Sequence, residues 1–282
     1  MKQLKKRKHM SASDMGVGTI KWIFLAAMIL FTLYPVIYTV LGSFKTNAEL
    51  TQGNHFLPEE WHFENYAEAW SSQPFGTYFL NSVLVTVLTT AGTILSSSLV
   101  AYGFARFRFR GKNILFMILL ATMMIPWDVT MIPQYMEFNL FGWINTLLPL
   151  IVPTWFGSAY YVFLMRQFLM GIPKDYEEAA RLDGANAFQI YWKIFMPILK
   201  PCLIMVGVLN MLTVWNDYLG PLIFLQDRTK YTLALGLASF KGVHTTAIIP
   251  MLCITVVMII PPILVFIFAQ RYIVEGTSGS IK

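Results

Sequence analysis

The most informative stretch of this sequence is Glu178-Ala179-Ala180-Arg181-Leu182-Asp183-Gly184-Ala185, which is followed by Ile194, by Met196-Pro197 and by Pro201. These residues form a polar interruption in a chain of 282 residues that is 56% hydrophobic and only 13% charged. A polar stretch of this length cannot lie within the apolar interior of a membrane at low cost. It therefore predicts a helix–turn–helix that lies outside the membrane.

Local signals place the two helices of this stretch. Pro173 suits the first turn of a helix, and the turn that follows carries three carboxylates of the kind favoured near a helix N-terminus: Asp175, Glu177 and Glu178. Gly184 can adopt the left-handed conformation that ends a helix. Asn186 is a good N-cap for the next helix. We expect two short helices joined by a tight turn.

Side-chain size and spacing suggest what each helix presents. Ala179, Ala180 and Ala185 leave low relief around Glu178 and Asp183, so that the first helix could press into a cleft on another protein. The second helix has one predicted aromatic face, formed at i, i+3, i+4 and i+7 by Phe188, Tyr191, Trp192 and Phe195. That face could equally rest on lipid headgroups or pack beneath the membrane helices.

The rest of the chain is dominated by apolar stretches. Soluble domains contain roughly 25% charged residues, about twice the share found here. Six stretches are long enough to cross a hydrocarbon core of about 30 Å as helices, at about 20–43, 78–104, 113–135, 146–168, 201–225 and 248–270. Helices are required because lipid cannot satisfy free backbone groups. The sequence predicts an all-α membrane protein with six transmembrane helices.

Positive charge orients these spans. Of the 21 Lys and Arg residues, 17 lie in the two termini, in the second and fourth loops between spans or at the span ends next to them, and four lie in the other loops. Loops rich in Lys and Arg remain in the cytoplasm. We therefore expect both termini and the 169–200 loop to be cytoplasmic. The predicted organisation is a cytoplasmic tail at 1–19, one membrane domain at 20–270 and a second cytoplasmic tail at 271–282.

Several other classes of feature are weak or missing in the sequence. The basic N-terminus could begin a signal peptide, but the following apolar run is long and lacks a clean cleavage site, which favours an uncleaved first span. Cys202 and Cys253 lie in predicted spans without metal-ligand company, and the four histidines are scattered. We expect neither a metal site nor a structural disulfide.

Gly92 and Ser96 form a small-x-x-x-small pair that would let another helix approach closely.

Polar residues within the spans are candidates for lining a pathway. Charges in lipid are expensive and usually face a cavity or a partner. The candidates are Asp128, Asn210, Trp215, Asn216, Asp217 and Tyr218. Aromatic rings beside amides and carboxylates suit sugars, because rings stack on C–H faces while the polar groups bond hydroxyls. In the alternative interpretation the aromatic residues are core or interfacial, Asp217 caps a helix break, and Asp128 simply reaches water.

The chain shows no nucleotide-binding motif of its own. A P-loop requires Gly-x-x-x-x-Gly-Lys-Ser/Thr after a strand, and the nearest string, Gly111-Lys112-Asn113, lacks the first glycine and the hydroxyl. No catalytic triad or paired-carboxylate site is evident either. We expect a chain that is non-catalytic by itself and binds no cofactor.

The 178–201 stretch resembles the EAA loop of the membrane subunits of ATP-binding-cassette (ABC) importers. The family pattern is Glu-Ala-Ala, Gly six positions after Glu, Ile ten after Gly, and Leu-Pro, and this chain departs from it only at Met196. Asp183-Gly184-Ala185 and the segment Gln270–Gly276 further resemble the sugar-importing, maltose-permease branch. The resemblance extends from about Tyr66 to the C-terminus.

The resemblance implies a division of labour among several proteins. Two ATPase subunits would bind ATP and Mg²⁺, a second, similar permease would supply half of the pathway, and an external binding protein would deliver the sugar. The membrane would be the cytoplasmic membrane of a bacterium or archaeon. The residues implied in coupling to the ATPase are Glu178, Ala179, Ala180, Asp183, Gly184 and Ala185.

Two other classes of function remain open at this stage. A proton-coupled secondary carrier could use Asp128 or Asp217 as a relay, although the chain has no visible internal repeat and a carrier does not need the Glu178 loop. A membrane scaffold would leave the polar residues within the spans unexplained. Dependence of uptake on ATP or on a proton gradient separates the ABC importer from the secondary carrier.

Overall fold

The structure is a computed structural model that describes residues 12–52, 55–242 and 247–278. Its α-helices, in chain order, are α1 (Ala12–Gly42), α2 (Asn47–Gln52), α3 (Glu64–Ser71), α4 (Phe75–Arg106), α5 (Lys112–Thr122), α6 (Trp127–Leu140), α7 (Leu148–Ile151), α8 (Ala159–Met170), α9 (Asp175–Leu182), α10 (Ala187–Ile190), α11 (Met196–Ile198), α12 (Lys200–Trp215), α13 (Leu219–Phe224), α14 (Leu233–Ala238) and α15 (Ile248–Ser278). Two 3₁₀ turns, Val152–Phe156 and Arg228–Lys230, and one π-helical turn, Tyr191–Phe195, complete the list. The predicted all-α fold is confirmed.

Four helical segments are long and apolar enough to cross a membrane, namely Lys21–Gly42, Phe75–Arg106, Leu148–Met170 and Ile248–Tyr272. Two further helix pairs meet the same criterion together but are sharply bent: α5 with α6 by 93°, and α10–α11 with α12 by 75°. The described residues therefore contain four to six candidate spans, against the six that hydropathy predicts. The chain is a multi-pass membrane protein.

The third span, predicted over 113–135, is interrupted at Pro126, one of the two prolines within it. The helix ends at Thr122 and restarts at Trp127, with Pro126 in an extended conformation at ψ 142°. Proline lacks an N–H group and disfavours the helical conformation of the residue before it. Hydropathy is blind to this effect, because Met123, Met124 and Ile125 are as apolar as their neighbours.

The fifth span is also interrupted, at Asn216–Tyr218. Helix α12 ends at Trp215, and α13 starts again at Leu219. The Asp217 side chain accepts a hydrogen bond from the Gly220 N–H at 3.1 Å, which satisfies a free donor at the start of α13. The capping role that the sequence left open for Asp217 is therefore present in the structure.

The chain divides into two compact units, of which the smaller contains Met1–Ala69 and Ile248–Val256. Its centre is the ring of Phe44, whose centroid lies 5.1–5.3 Å from the rings of Trp61, Phe63 and Tyr66. The Tyr66 hydroxyl hydrogen-bonds the Ser43 hydroxyl at 2.7 Å. These contacts fold the loop after α1 into an ordered aromatic cluster.

The larger unit contains Trp70–Ala247 and Val257–Lys282 and is built around α4. This helix packs against α8, α12 and the 3₁₀ turn Val152–Phe156. Its buried face is unusually small and polar, with Ser82, Thr86, Thr89, Gly92, Thr93, Ser97 and Ser98. Small residues let helix backbones approach closely in a membrane. The hydroxyl of Ser97 also accepts the Ser158 N–H at 3.1 Å, at the start of α8.

The close approach predicted at Gly92 and Ser96 is confirmed. A Cβ atom added to Gly92 would lie 2.5 Å from Cδ1 and from Nε1 of Trp155, much closer than real contacts allow. One turn later, the Ser96 hydroxyl donates to the Gly92 carbonyl at 2.7 Å and approaches the Thr154 carbonyl at 3.3 Å. The indole of Trp155 therefore lies directly on the α4 backbone.

This contact predicts a large effect of one methyl group. Gly92→Ala should lower the stability of the folded chain by about 1–3 kcal/mol, because the Trp155 ring must move. Gly103→Ala is the matched control, since a Cβ atom at Gly103 meets nothing within 4 Å; it should be neutral or stabilising by about 0.4–1 kcal/mol. Thermal unfolding in detergent measures both. Equal midpoints for the two variants would contradict the packing described.

Candidate functional site

The 169–200 segment contains the helix–turn–helix that its sequence predicts. Helix α9 begins at Asp175, and its first turn holds the three predicted carboxylates, where the helix dipole stabilises negative charge. The backbone then turns at Gly184, whose φ is +80°. A side chain at that φ is strained in any residue other than glycine. The left-handed turn predicted at Gly184 is confirmed.

Two sets of capping hydrogen bonds fix the geometry of this turn. On the α9 side, the Gly184 N–H donates to the Arg181 carbonyl and the Ala185 N–H donates to the Ala180 carbonyl, each at 3.0 Å. This pair of bonds is the Schellman arrangement of a helix C-terminus. On the α10 side, Asn186 and Gln189 form a reciprocal capping box with two bonds of 2.9 Å. The turn is therefore held from both sides.

The predicted single aromatic face of the second helix is wrong. Tyr191 and Phe195 are buried, whereas Phe188 and Trp192 are exposed. The row lies at the edge of the buried face, where packing on α4 and α8 covers one i,i+4 pair and leaves the other exposed. A π-helical turn, Tyr191–Phe195, interrupts the α-helix here. Pro197 favours this turn because it has no N–H group to bond the carbonyl four residues earlier.

Buried rings attach the segment to the membrane helices. Tyr191 and Phe195 lie in one apolar cluster with Tyr102 of α4 and Leu169 of α8. The ring centroid of Tyr102 is 5.4 Å from that of Tyr191 and 5.3 Å from that of Phe195. The Tyr191 hydroxyl also hydrogen-bonds the hydroxyl of Ser98 at 2.8 Å. The segment and the ends of α4 and α8 thus share one packed core.

The six candidate coupling residues do not share one environment. Glu178, Ala179, Asp183 and Gly184 are exposed and Ala185 is half-buried, whereas Ala180 is 7% exposed and belongs to the apolar cluster. Ala180 therefore faces the spans rather than the open side of α9. The outer side of the turn instead presents apolar side chains that the sequence analysis did not single out: Tyr176, Leu182 and Phe188.

Leu182 is the most prominent of these side chains, with 89% of its surface exposed at the end of α9. A large apolar side chain so fully exposed next to a charged turn is a mark of a contact surface when it belongs to a patch. The sequence held one indication of this exposure: Leu182 lies in a polar stretch outside the predicted spans, so that it cannot be a lipid-facing residue of a span.

A polar hollow of about 440 Å³ lies beside the turn. Its walls are formed by the end of α4 and by the first helix of the segment, through Ala105, Arg106, Phe107, Arg108, Lys174, Glu177, Glu178 and Arg181. The Glu177 carboxylate is 8% exposed overall and accepts a 2.7 Å hydrogen bond from Arg181. Four cations and two carboxylates therefore meet at this junction.

The candidate pathway residues of α12 mostly serve packing. Asn210 is buried, and its amide donates to the Thr90 hydroxyl of α4 at 3.1 Å. Trp215 is also buried, and its indole N–H donates to the Met258 carbonyl of α15 at 2.9 Å. Asn216 bonds the carbonyl of its own helix at Leu212, at 2.8 Å. Tyr218 is 39% exposed.

Asp217 differs from these residues because it lines a hollow of about 390 Å³. The hollow lies between α6, α7 and the break after α12, and its lining includes Trp127, Gln134, Thr154 and Thr213. The indole N–H of Trp127 donates to the Gln134 amide oxygen at 3.2 Å. Asp128, the other carboxylate predicted within a span, lies in the first turn of α6, is exposed, and is not part of this lining.

Trp127, Gln134 and Thr213 were missed by the sequence analysis. Their types are ordinary in a membrane protein; Thr213 lies on α12, one turn before Asp217, whereas Trp127 and Gln134 come from α6, after the bend. Among the described residues no group of three or more His, Cys, Asp and Glu side chains could hold a metal ion. The lining of the hollow offers hydrogen-bonding groups, at Asp217, Gln134 and Thr213, and the indole ring of Trp127.

Comparisons with known proteins identify the family. Residues 93–278 match the family model for the binding-protein-dependent transport system inner membrane component. The chain is 34% identical to the probable ABC transporter permease protein YurM of Bacillus subtilis, over 94% of this chain and 88% of the relative. It is 30% identical to the diacetylchitobiose uptake system permease protein NgcG of Streptomyces coelicolor, over 95% and 90%.

Solved structures agree with this assignment. The fold matches a chain of a bacterial ABC transporter involved in the import of the acidic polysaccharide alginate, with a TM-score of 0.83 and 28% identity over 94% of this chain and 99% of that chain. A second match, to the MetNI methionine ABC transporter, has a TM-score of 0.52 at 16% identity and bears on the fold alone. The chain belongs to the binding-protein-dependent ABC permease family, whose members are non-catalytic transmembrane subunits that work with ATPase, partner permease and binding-protein components.

Proposed function

We propose that this chain is the permease subunit of an ATP-driven importer of a saccharide and that it forms half of the translocation pathway. The observation that carries the proposal is the 169–200 segment, a rigid turn with an exposed outer side that is packed onto two spans. The relatives support the sugar class, since they include permeases named for diacetylchitobiose and for arabinooligosaccharides. A proton-coupled carrier would have no use for such a turn.

The segment is proposed to lie in the cytoplasm of a bacterial or archaeal cell, together with both chain termini. The 17 Lys and Arg residues on that side against four on the other support this orientation. ATP is made in the cytoplasm, so an ATPase partner must dock there. The same orientation leaves the loop after α1 on the outside, where an external binding protein could reach it.

We assign the ATPase contact to the outer side of the turn. Glu178, Ala179, Asp183, Gly184 and Ala185 would lie in a groove of the ATPase, and the small side chains would allow close approach. Leu182 would supply a buried apolar anchor, the type of contact that carries most binding energy. Ala180 would act from beneath, since it packs into the spans.

The full complex would contain this chain, a second homologous permease, two ATPase subunits and an external sugar-binding protein. ATP and Mg²⁺ would be bound by the ATPase subunits, and the chain described here would hold no cofactor. Closure of the ATPase pair on ATP would pull on the segment. Because the segment shares a core with α4 and α8, the movement would reach both spans and open the pathway to the outside.

Partner loss tests the coupling assignment. Glu178→Lys combined with Gly184→Pro reverses a charge and breaks the turn that faces the ATPase. The intact chain should purify from membranes with an ATPase and a second permease, and the double variant should keep the permease and lose the ATPase. Mass spectrometry of the purified complex measures this. Glu137→Lys, an exposed reversal on α6, is the control and should keep every partner. An ATPase retained by the double variant would contradict the assignment.

The substrate pathway is proposed to pass Asp217, with Asn216 and Tyr218 near it, Asn210 and Trp215 supporting α12, and Asp128 toward the outer end. The hollow at Asp217 combines a carboxylate with Gln134, Thr213 and the Trp127 ring. A saccharide needs this combination, because it offers hydroxyls for hydrogen bonds and C–H faces for stacking.

Uptake by variants of Asp217 tests this pathway. Asp217→Ala should lower uptake about ten- to a hundredfold, since a lost hydrogen bond to a charged group costs about 1.5–3 kcal/mol. Asp217→Asn keeps an oxygen that can still cap Gly220 and should retain more uptake. The assay measures radiolabelled diacetylchitobiose, arabinooligosaccharides and lactose in turn, at equal amounts of assembled complex. Unchanged uptake in Asp217→Ala would remove this residue from the pathway.

A further inference from the structure

We propose that Arg106 and Arg166 are positioning residues that join the 169–200 segment, α4 and α8 into one body that moves as a unit. The inference rests on the proposed function, because it concerns how a pull on the segment reaches the spans. It assigns a mechanical role to two arginines that charge counting treats only as signals of orientation. The pair is called the arginine latch below.

Arg106 is the last residue of α4, and it bonds the backbone at the end of α8. Its Nη2 donates to the Leu169 carbonyl at 2.6 Å and to the Ile172 carbonyl at 2.9 Å. Helix C-termini leave carbonyl groups without partners inside the helix, and a cationic donor satisfies them well. One side chain thus ties α4 to α8 and to the linker that leads into α9.

The same guanidinium also lies on the π-helical turn of the segment. The Cζ atom of Arg106 is 4.6 Å from the centroid of the Phe195 ring, which is completely buried. Contacts between a cation and a ring contribute about 0.5–2 kcal/mol, with the larger values where water is excluded. Glu177 of α9 lines the same polar hollow as Arg106. Arg106 therefore contacts the segment before α9, at the Ile172 carbonyl, and again after the turn, at the Phe195 ring.

Arg166 makes the reciprocal connection from α8 to α4. Its Nε donates to the Phe104 carbonyl of α4 at 3.3 Å. Its Cζ atom lies 4.0 Å from the centroid of the Phe116 ring of α5. Each of the two helices therefore lends an arginine to the other's backbone, and each guanidinium is covered by an aromatic ring.

This arrangement resists sliding in a way that the apolar cluster does not. Hydrophobic contacts are non-directional, so packed rings can shift past one another. The carbonyl bonds of the latch have fixed directions, and leaving such a buried group unsatisfied costs about 1–3 kcal/mol. A lysine would keep the charge but lose the planar face that stacks on Phe195 and Phe116. The geometry therefore favours joint movement of the segment with α4 and α8.

Distances between spin labels test the latch in the full complex. Labels are placed at Leu99→Cys on α4 and Lys193→Cys on the segment, both exposed, after Cys202 and Cys253 are replaced by alanine. The distance is measured by pulsed electron resonance without nucleotide and after trapping with ATP, Mg²⁺ and vanadate. In the complex that carries only the labels, the distribution of distances between them should be the same in both states. With Arg106→Met this distribution should broaden and shift on trapping, while the ATPase remains bound and active.

Two further variants keep the test decisive. Arg110→Met removes an exposed arginine of the same loop and should behave like the intact complex. Arg106→Lys should give a smaller shift than Arg106→Met, because it can still reach a carbonyl. If Arg106→Met does not assemble, Phe195→Leu replaces it, since it removes the ring and spares both carbonyl bonds; it should broaden the distribution on trapping.

Several results would overturn the latch. A distance that changes on trapping in the intact complex would show that α4 and the segment do not move together. A distance unaffected by Arg106→Met, or by Phe195→Leu in its place, would show that the latch does not hold them. If the intact chain purifies without an ATPase, the proposed function is contradicted. The latch is then contradicted as well, because no ATPase moves the segment.

Discussion

The structure depends on one packed junction, where the rings of Tyr191 and Phe195 meet Tyr102 at the end of α4. A turn that lies outside the membrane could be attached by a loose linker, and it would then transmit nothing to the spans. Here the turn is capped on both sides and buried against two helices. A displacement of its exposed side would therefore also displace α4 and α8, because no flexible linker lies between them.

The composition of α4 follows from the same requirement. This helix carries a row of small and hydroxylated residues on its buried face, which brings its backbone close to α8, α12 and Trp155. In lipid, helices are not held together by exclusion of water, so close packing and hydrogen bonds must do so. Gly92 against Trp155 and Ser97 against the start of α8 are two points of such close approach. A helix packed this tightly can transmit movement along its length.

The breaks in the other spans have the opposite character. The bend of 93° after α5 and the break at Asn216–Tyr218 after α12 interrupt otherwise apolar segments. The first of them brings Trp127 and Gln134 to the hollow that contains Asp217. Irregular backbone is tolerated at membrane depth where it lines a cavity. The chain thus combines a stiff connection at the segment with bent helices around the hollow.

The sequence was sufficient for the features that local chemistry controls. Gly184 and Asn186 predicted the turn, and hydropathy predicted six spans, because both signals act over a few neighbouring residues. The inward side of α9 at Ala180 and the split aromatic row could not be predicted, since they depend on packing against α4 and α8. In the sequence, Arg106 could not be told apart from Arg108 and Arg110. Only its hydrogen bonds to the carbonyl groups at the end of α8 distinguish it.

The substrate side was less predictable for a similar reason. Asp217 was chosen as an ionisable residue in a span, and it does line a hollow, but Trp215 and Asn210 beside it are engaged in packing. Their spacing along the chain predicted one polar group with Asp217. In the structure, Asn210 instead bonds α4 and Trp215 bonds α15. Trp127 and Gln134 come from a helix whose bend the hydropathy pattern conceals.

Photocrosslinking in intact membranes, from a benzoylphenylalanine placed at Leu182, would show whether the exposed side of the turn touches the ATPase. We expect an adduct between this chain and an ATPase subunit, and none from the same probe at Trp61, in the loop after α1. Absence of an ATPase adduct at position 182, or its presence at position 61, would contradict both the proposed contact and the proposed orientation.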